Sequence, residues 1–88
     1  MIHLKETFPD DHTIVIQADG ILDEESLPLM KKIFEQYWQR RRILLRMEGL
    51  RHISREGRDF LTGMQDRVTM INPPPFMKWE DGGFKGEE

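Results

Sequence analysis

Ile43-Leu44-Leu45-Arg46-Met47-Glu48-Gly49-Leu50-Arg51-His52-Ile53-Ser54-Arg55-Glu56-Gly57-Arg58-Asp59-Phe60-Leu61 is the stretch on which the fold turns. Its first five residues are nearly all apolar, and a short run of that kind reads as a central strand with both faces covered. Gly49 is expected to break it. Residues 55–65 then place Phe60, Leu61 and Met64 on one side, the pattern of a second, weaker helix.

On the amino-terminal side, residues 25–40 carry Leu27, Met30, Ile33, Phe34, Tyr37 and Trp38 at three- and four-residue steps, which predicts an amphipathic helix. Pro28 fits only a first turn, so the helix should start near Ser26. Further out, Thr13 to Ala18 alternates Ile14, Ile16 and Ala18 with Thr13, Val15 and Gln17, a strand that Asp19-Gly20 should end. Ile2 and Leu4 give a weaker strand signal, and Pro9-Asp10-Asp11-His12 reads as the turn of a hairpin between the two. On the carboxyl-terminal side, Val68 to Ile71 is a last short strand, stopped by Asn72-Pro73-Pro74-Pro75. Strands alternating with helices predict an α/β domain with a small mixed, mainly parallel four-stranded sheet and helices mainly on one face. That domain is expected over residues 1–72, followed by a Pro/Gly-rich segment over residues 73–88. Four large apolar side chains in this segment, Phe76, Met77, Trp79 and Phe84, should either pack back on the sheet or dock on a partner.

The chain has 88 residues, enough for one domain and one modest core. With 33% charged residues and a net charge of only −3, it is neither basic enough for general nucleic-acid binding nor acidic enough for a disordered chain. It has no cysteine, which excludes disulfides, thiolate metal sites and cysteine nucleophiles. No apolar run approaches the roughly 18–20 residues of a membrane span, and a cytoplasmic location is the expectation. The charge is unevenly placed. Residues 1–30 hold one base and seven acids, residues 31–58 nine bases and three acids, and residues 59–88 three bases and six acids. Such polarity steers partners and can favour a homodimer.

The stretch from Leu45 to Leu61 resembles the signature of the STAS family, the anti-sigma-factor antagonists and the cytoplasmic domains of sulfate transporters. In that pattern a hydrophobic strand ends in Asp-Leu and a polar-Gly-Val turn follows. A hydrophobic-Asp-Ser-Ser-Gly-Leu segment then opens a helix. It lies here without a gap, with Gly49 and Gly57 in the glycine places and Ile53 and Leu61 in hydrophobic ones. Ala18-Asp19-Gly20-Ile21-Leu22-Asp23 is similar to the family's Gly-x-Leu-Asp element, and the resemblance covers about residues 12–72. The departures fall at the site that carries the family's switch. The Asp before the paired serines falls on Ser54, the phosphorylated serine on Arg55 and its neighbour on Glu56, while Arg58 replaces the leucine after the glycine. No phosphate can be attached at Arg55, so no phosphorylation is expected there. The resemblance implies a STAS-like scaffold for non-catalytic protein binding in a regulatory or transport-associated assembly, with the loop from Gly49 to Gly57 facing a partner. Partners of this family are anti-sigma kinases, larger sensing complexes and transporter subunits.

The candidate partner-binding residues are therefore Gly49, Arg51, Ser54, Arg55, Glu56, Gly57 and Arg58. Arg55 and Arg58 straddle a helix start, where arginine opposes the helix dipole, which points to a binding epitope. The plainer reading is a solvated face on which they pair with Glu56 and Asp59. Ser54 reads as a helix N-cap, or as a phosphoacceptor displaced by one residue. Arg40-Arg41-Arg42 after Tyr37 and Trp38 supports an alternative, an electrostatic binder of nucleic acid or anionic membrane surfaces, against the solvated end of a helix. His3, His12 and His52 are too scattered for a metal pattern. Asp10-Asp11 and Asp23-Glu24-Glu25 could hold a cation but read better as turn and helix-start chemistry. No metal, cofactor or catalytic constellation is expected.

Overall fold

Ile14, Ile16 and Ala18 alternate along the chain, and all three are fully buried, while Val15 and Gln17 between them are only half-buried. That alternation orients the whole sheet. The computed structural model describes residues 2–74. The expectations for Phe76, Met77, Trp79 and Phe84, and for most of the 73–88 segment, lie outside the described residues.

The elements are β1 (Ile2–Asp10), β2 (Thr13–Leu22), α1 (Leu27–Tyr37), β3 (Arg42–Ile53), α2 (Arg55–Gly63) and β4 (Val68–Ile71). They form a four-stranded sheet in the order β1-β2-β3-β4. β1 pairs antiparallel with β2, whereas β2, β3 and β4 run parallel through α1 and α2. One register row runs Ile14, Ile43, Val68 and the next Ile16, Leu45, Met70, so the apolar residues of three strands share one face. Leu27, Met30 and Phe34 of α1 and Leu61 of α2 close the core over that face. Phe34 stacks on Phe60, with centroids 5.7 Å apart, which sets the helices side by side.

Local chemistry explains the helix boundaries. The buried Ser26 donates its backbone N–H to Asp23 Oδ1 at 3.1 Å, and the Ser26 hydroxyl reaches the same oxygen at 2.7 Å. This Asp23–Ser26 link and Pro28 start α1 at Leu27, two residues inside the predicted span. It ends at Tyr37 because the backbone tightens there, with the N–H groups of Arg40 and Arg41 both directed to the Tyr37 carbonyl. α2 likewise ends at Gly63, two residues short of the predicted end.

The strands are longer than their apolar patterns. β1 runs on through Pro9, which falls in an irregular step between Thr7 and Asp10 on an edge strand, where a missing N–H breaks no ladder bond. β2 passes Asp19-Gly20 and β3 passes Gly49, instead of stopping there. The ladder absorbs both places as register shifts, between Gln17 and Asp19 and between Gly20 and Ile21, and Gly20 adopts a φ of 107°. A Cβ on Gly49 would overlap the Asp19 carboxylate, so glycine is what lets the two strands stay paired. β3 is central, but the expectation that both its faces are covered is corrected. Leu44 is half-buried and Arg46 exposed on the face away from the helices.

Candidate functional site

Residues 49–57 were expected to form a loop. They form the last five residues of β3, a one-residue connection at Ser54 and the first turn of α2. The reason is backbone pairing. Leu22 and Ile53 lie in register, and the Ser54 N–H donates to the Leu22 carbonyl at 2.8 Å. Ser54 is extended, with φ −74° and ψ 172°, and its Oγ accepts the Gly57 N–H at 3.0 Å. It is the N-cap of α2.

Gly57 is buried, and a Cβ there would lie 3.0 Å from both Leu22 Cγ and the Leu22 carbonyl oxygen. Its work is close packing of α2 on the sheet, so it offers no surface. Gly49 is half-buried beside Asp19 and likewise shapes backbone. The exposed members of the set are Arg51, Arg55, Glu56 and Arg58, with His52 beside them. Glu56 sits in the first turn of α2, where a carboxylate suits the dipole. Arg58 is engaged within the chain. Arg51 and Arg55 make no ion pair among the described residues.

The fold also joins residues that spacing did not. His3 and Asp19 are cross-strand partners, Asp19 pairs with Gly49, and these line an open depression with Ile2, Ile21 and Arg51. The Asp19 carboxylate accepts from Gln17 Nε2 at 3.3 Å. The strand period puts His3 and Asp19 on one face only once the hairpin register is known.

The Arg40-Arg41-Arg42 run lies at the opposite end of the sheet. Arg41 Nη1 donates to the carbonyls of Asp10 and Thr13 at 3.0 and 3.3 Å, and its guanidinium sits 4.8 Å from the Phe8 ring centroid. Arg40 and Arg42 are exposed. Asp10 accepts the His12 N–H at 2.8 Å, and that bond is the chief reason its carboxyl is held below the usual range. Asp23 is held below it first by the Ser26 hydroxyl. Both acids thus serve a turn and a helix start. Among the described residues no three His, Cys, Asp or Glu side chains group as metal ligands, and no helix is long and apolar enough to cross a membrane.

No family model matches the chain, and no curated protein matches it. Among solved structures, the unphosphorylated form of the anti-sigma factor antagonist SpoIIAA superposes with a TM-score of 0.69, at 18% identity, over 85% of this chain and 77% of that one. The chain has a STAS-like fold. In this STAS-like domain the fold, including its one antiparallel pair, agrees with the order of elements read from the sequence.

Proposed function

We propose that this STAS-like domain is a non-catalytic protein-interaction module of a regulatory or transport-associated assembly, built like an anti-sigma-factor antagonist but without its phosphoacceptor serine. The likeness to SpoIIAA over most of both chains carries the reading. The partner surface proposed is the carboxyl end of β3 and the first turn of α2, where Arg51, Arg55 and Glu56 stand in solvent. Guanidinium forks there suit carboxylates of a protein partner. An anti-sigma kinase, a sensing complex or a transporter subunit is the class of partner, met in the cytoplasm. Arg55 stands where the family pattern has its phosphorylated serine, so binding is not released by phosphate at that position.

Titration of the domain against an anti-sigma kinase, with and without ATP, tests this. The expected result is a complex that ATP does not dissolve and that Arg51→Ala and Arg55→Ala each weaken at least about tenfold, equivalent to about 1.4 kcal/mol. Phosphate mapped to Ser54 together with release of the kinase would overturn the loss of the switch. A complex indifferent to both arginines would put the binding face elsewhere.

A further inference from the structure

Acidic and basic residues flank adjoining backbone at the carboxyl ends of β2 and β3. The 23–25 turn leaves β2 at Leu22, whose carbonyl holds the Ser54 N–H, so the turn adjoins the start of α2. Asp23 is occupied by Ser26, but Glu24 and Glu25 on one side and Arg51 and Arg55 on the other are exposed. None of these four makes an ion pair among the described residues. Ile21, 37% exposed, pairs with His52 in this region and lines the same depression as Arg51. A surface with an acidic half, a basic half and an apolar component is self-complementary under a two-fold axis.

We infer that a second copy of this chain docks here, Glu24 and Glu25 of each protomer facing Arg51 and Arg55 of the other, with Ile21 at the contact. The dimer shares its two arginines with the surface proposed for a partner, and it would therefore compete with that partner. Its own support is the unpaired charge pattern, and self-association is measured with no partner present.

Sedimentation equilibrium of the full chain and two charge-reversed variants tests the inference, one carrying E24R and E25R, the other R51E and R55E. The wild-type chain is expected to dimerise reversibly. The dimer should weaken at least about tenfold when salt rises from about 0.1 M to about 1 M, which shortens the screening length from about 10 Å to about 3 Å. Each variant alone should be monomeric, because like charges then meet at both contacts. An equimolar mixture should recover the dimer, because both contacts are again opposite in sign. A wild-type chain that stays monomeric overturns the inference, as does a variant that still dimerises alone or a mixture that stays monomeric. Thermal melts verify folding. Should either double variant unfold, the single changes E25R and R55E serve the same comparison.

Discussion

The two ends of the sheet both carry arginines and use them in opposite ways. At the β1–β2 turn, Arg41 holds two carbonyls and covers Phe8, which in turn meets Tyr37 edge-on at 5.8 Å. Nearby, Arg67 lies 4.5 Å over the Trp38 ring. At the other end, Arg51 and Arg55 make no ion pair among the described residues. The run of three arginines is the more conspicuous feature in the sequence, yet its middle member is an internal brace. The dispersed Arg51 and Arg55 are the ones proposed for a partner, while Arg40 and Arg42 of the run are exposed as well. Density of charge along a chain therefore does not by itself say which guanidiniums the fold employs.

Four measurements sharpen or break this contrast. The reference for both ends is the core between them. Leu45 is fully buried, and Leu45→Ala should cost about 2–5 kcal/mol in urea or thermal unfolding, through lost transfer energy and the cavity left behind. A loss below about 1 kcal/mol would mean that β3 is not the centre of the core.

Next comes the brace. Arg41→Ala removes two hydrogen bonds and a ring contact, and should cost on the order of 1–2 kcal/mol. It should also raise amide exchange in the β1–β2 hairpin while leaving partner capture unchanged. An unchanged melting temperature would return Arg41 to the pool of free surface charge.

A smaller effect is expected at the acidic turn. The folded Asp23 carboxyl is held below its ordinary value of 3.8, so the unfolded chain takes up the proton first as pH falls. Its stabilisation is present above that value and disappears as pH drops through the lower folded value. Asn at position 23 keeps an acceptor oxygen for Ser26 but not the charge that strengthens those bonds. Asp23→Asn should therefore be the less stable chain at pH 7, with the gap closing below about pH 4. A gap that stays constant down to pH 2 would contradict the Asp23–Ser26 link. Asp10 and Glu48, also held below their ordinary values, contribute acid dependence of the same sign.

The smallest change in stability is expected at Arg55. Arg55→Ala should shift unfolding by less than about 0.5 kcal/mol, while partner capture is expected to weaken. A large destabilisation would show that Arg55 is a second brace, and the contrast between the ends would collapse.

Much of this architecture is legible in the sequence. Ile14, Ile16, Ala18 and Leu61 announce themselves by period and are all buried, because period fixes which side of a strand or helix a residue faces, whereas Leu45 and Met47, also buried, stand in an apolar run that does not tell one face from the other. The extents of β2 and β3 are not legible. Glycine and aspartate are read as breakers, whereas here Gly49 and Asp19 sit opposite each other and the small residue accommodates the carboxylate of the larger. That is a property of a pair, invisible in either residue alone. Arg51 and Arg55 enter as candidates mainly through resemblance to a family pattern, and the His3–Asp19–Arg51 depression is not legible at all, since its members come from three strands.

The connection between β3 and α2 has a consequence in entropy. It is a single residue, Ser54, whose N–H and Oγ are both bonded, and the helix that follows sits tight on the sheet at Gly57. The backbone under Arg51 and Arg55 is thus already ordered before anything binds. Association at the proposed surface would immobilise side chains but no loop, so its ordering cost would be limited to about 0.5–1.5 kcal/mol for each long side chain fixed. Recognition at this end should behave as rigid-body docking, with little backbone rearrangement between the free and bound chain.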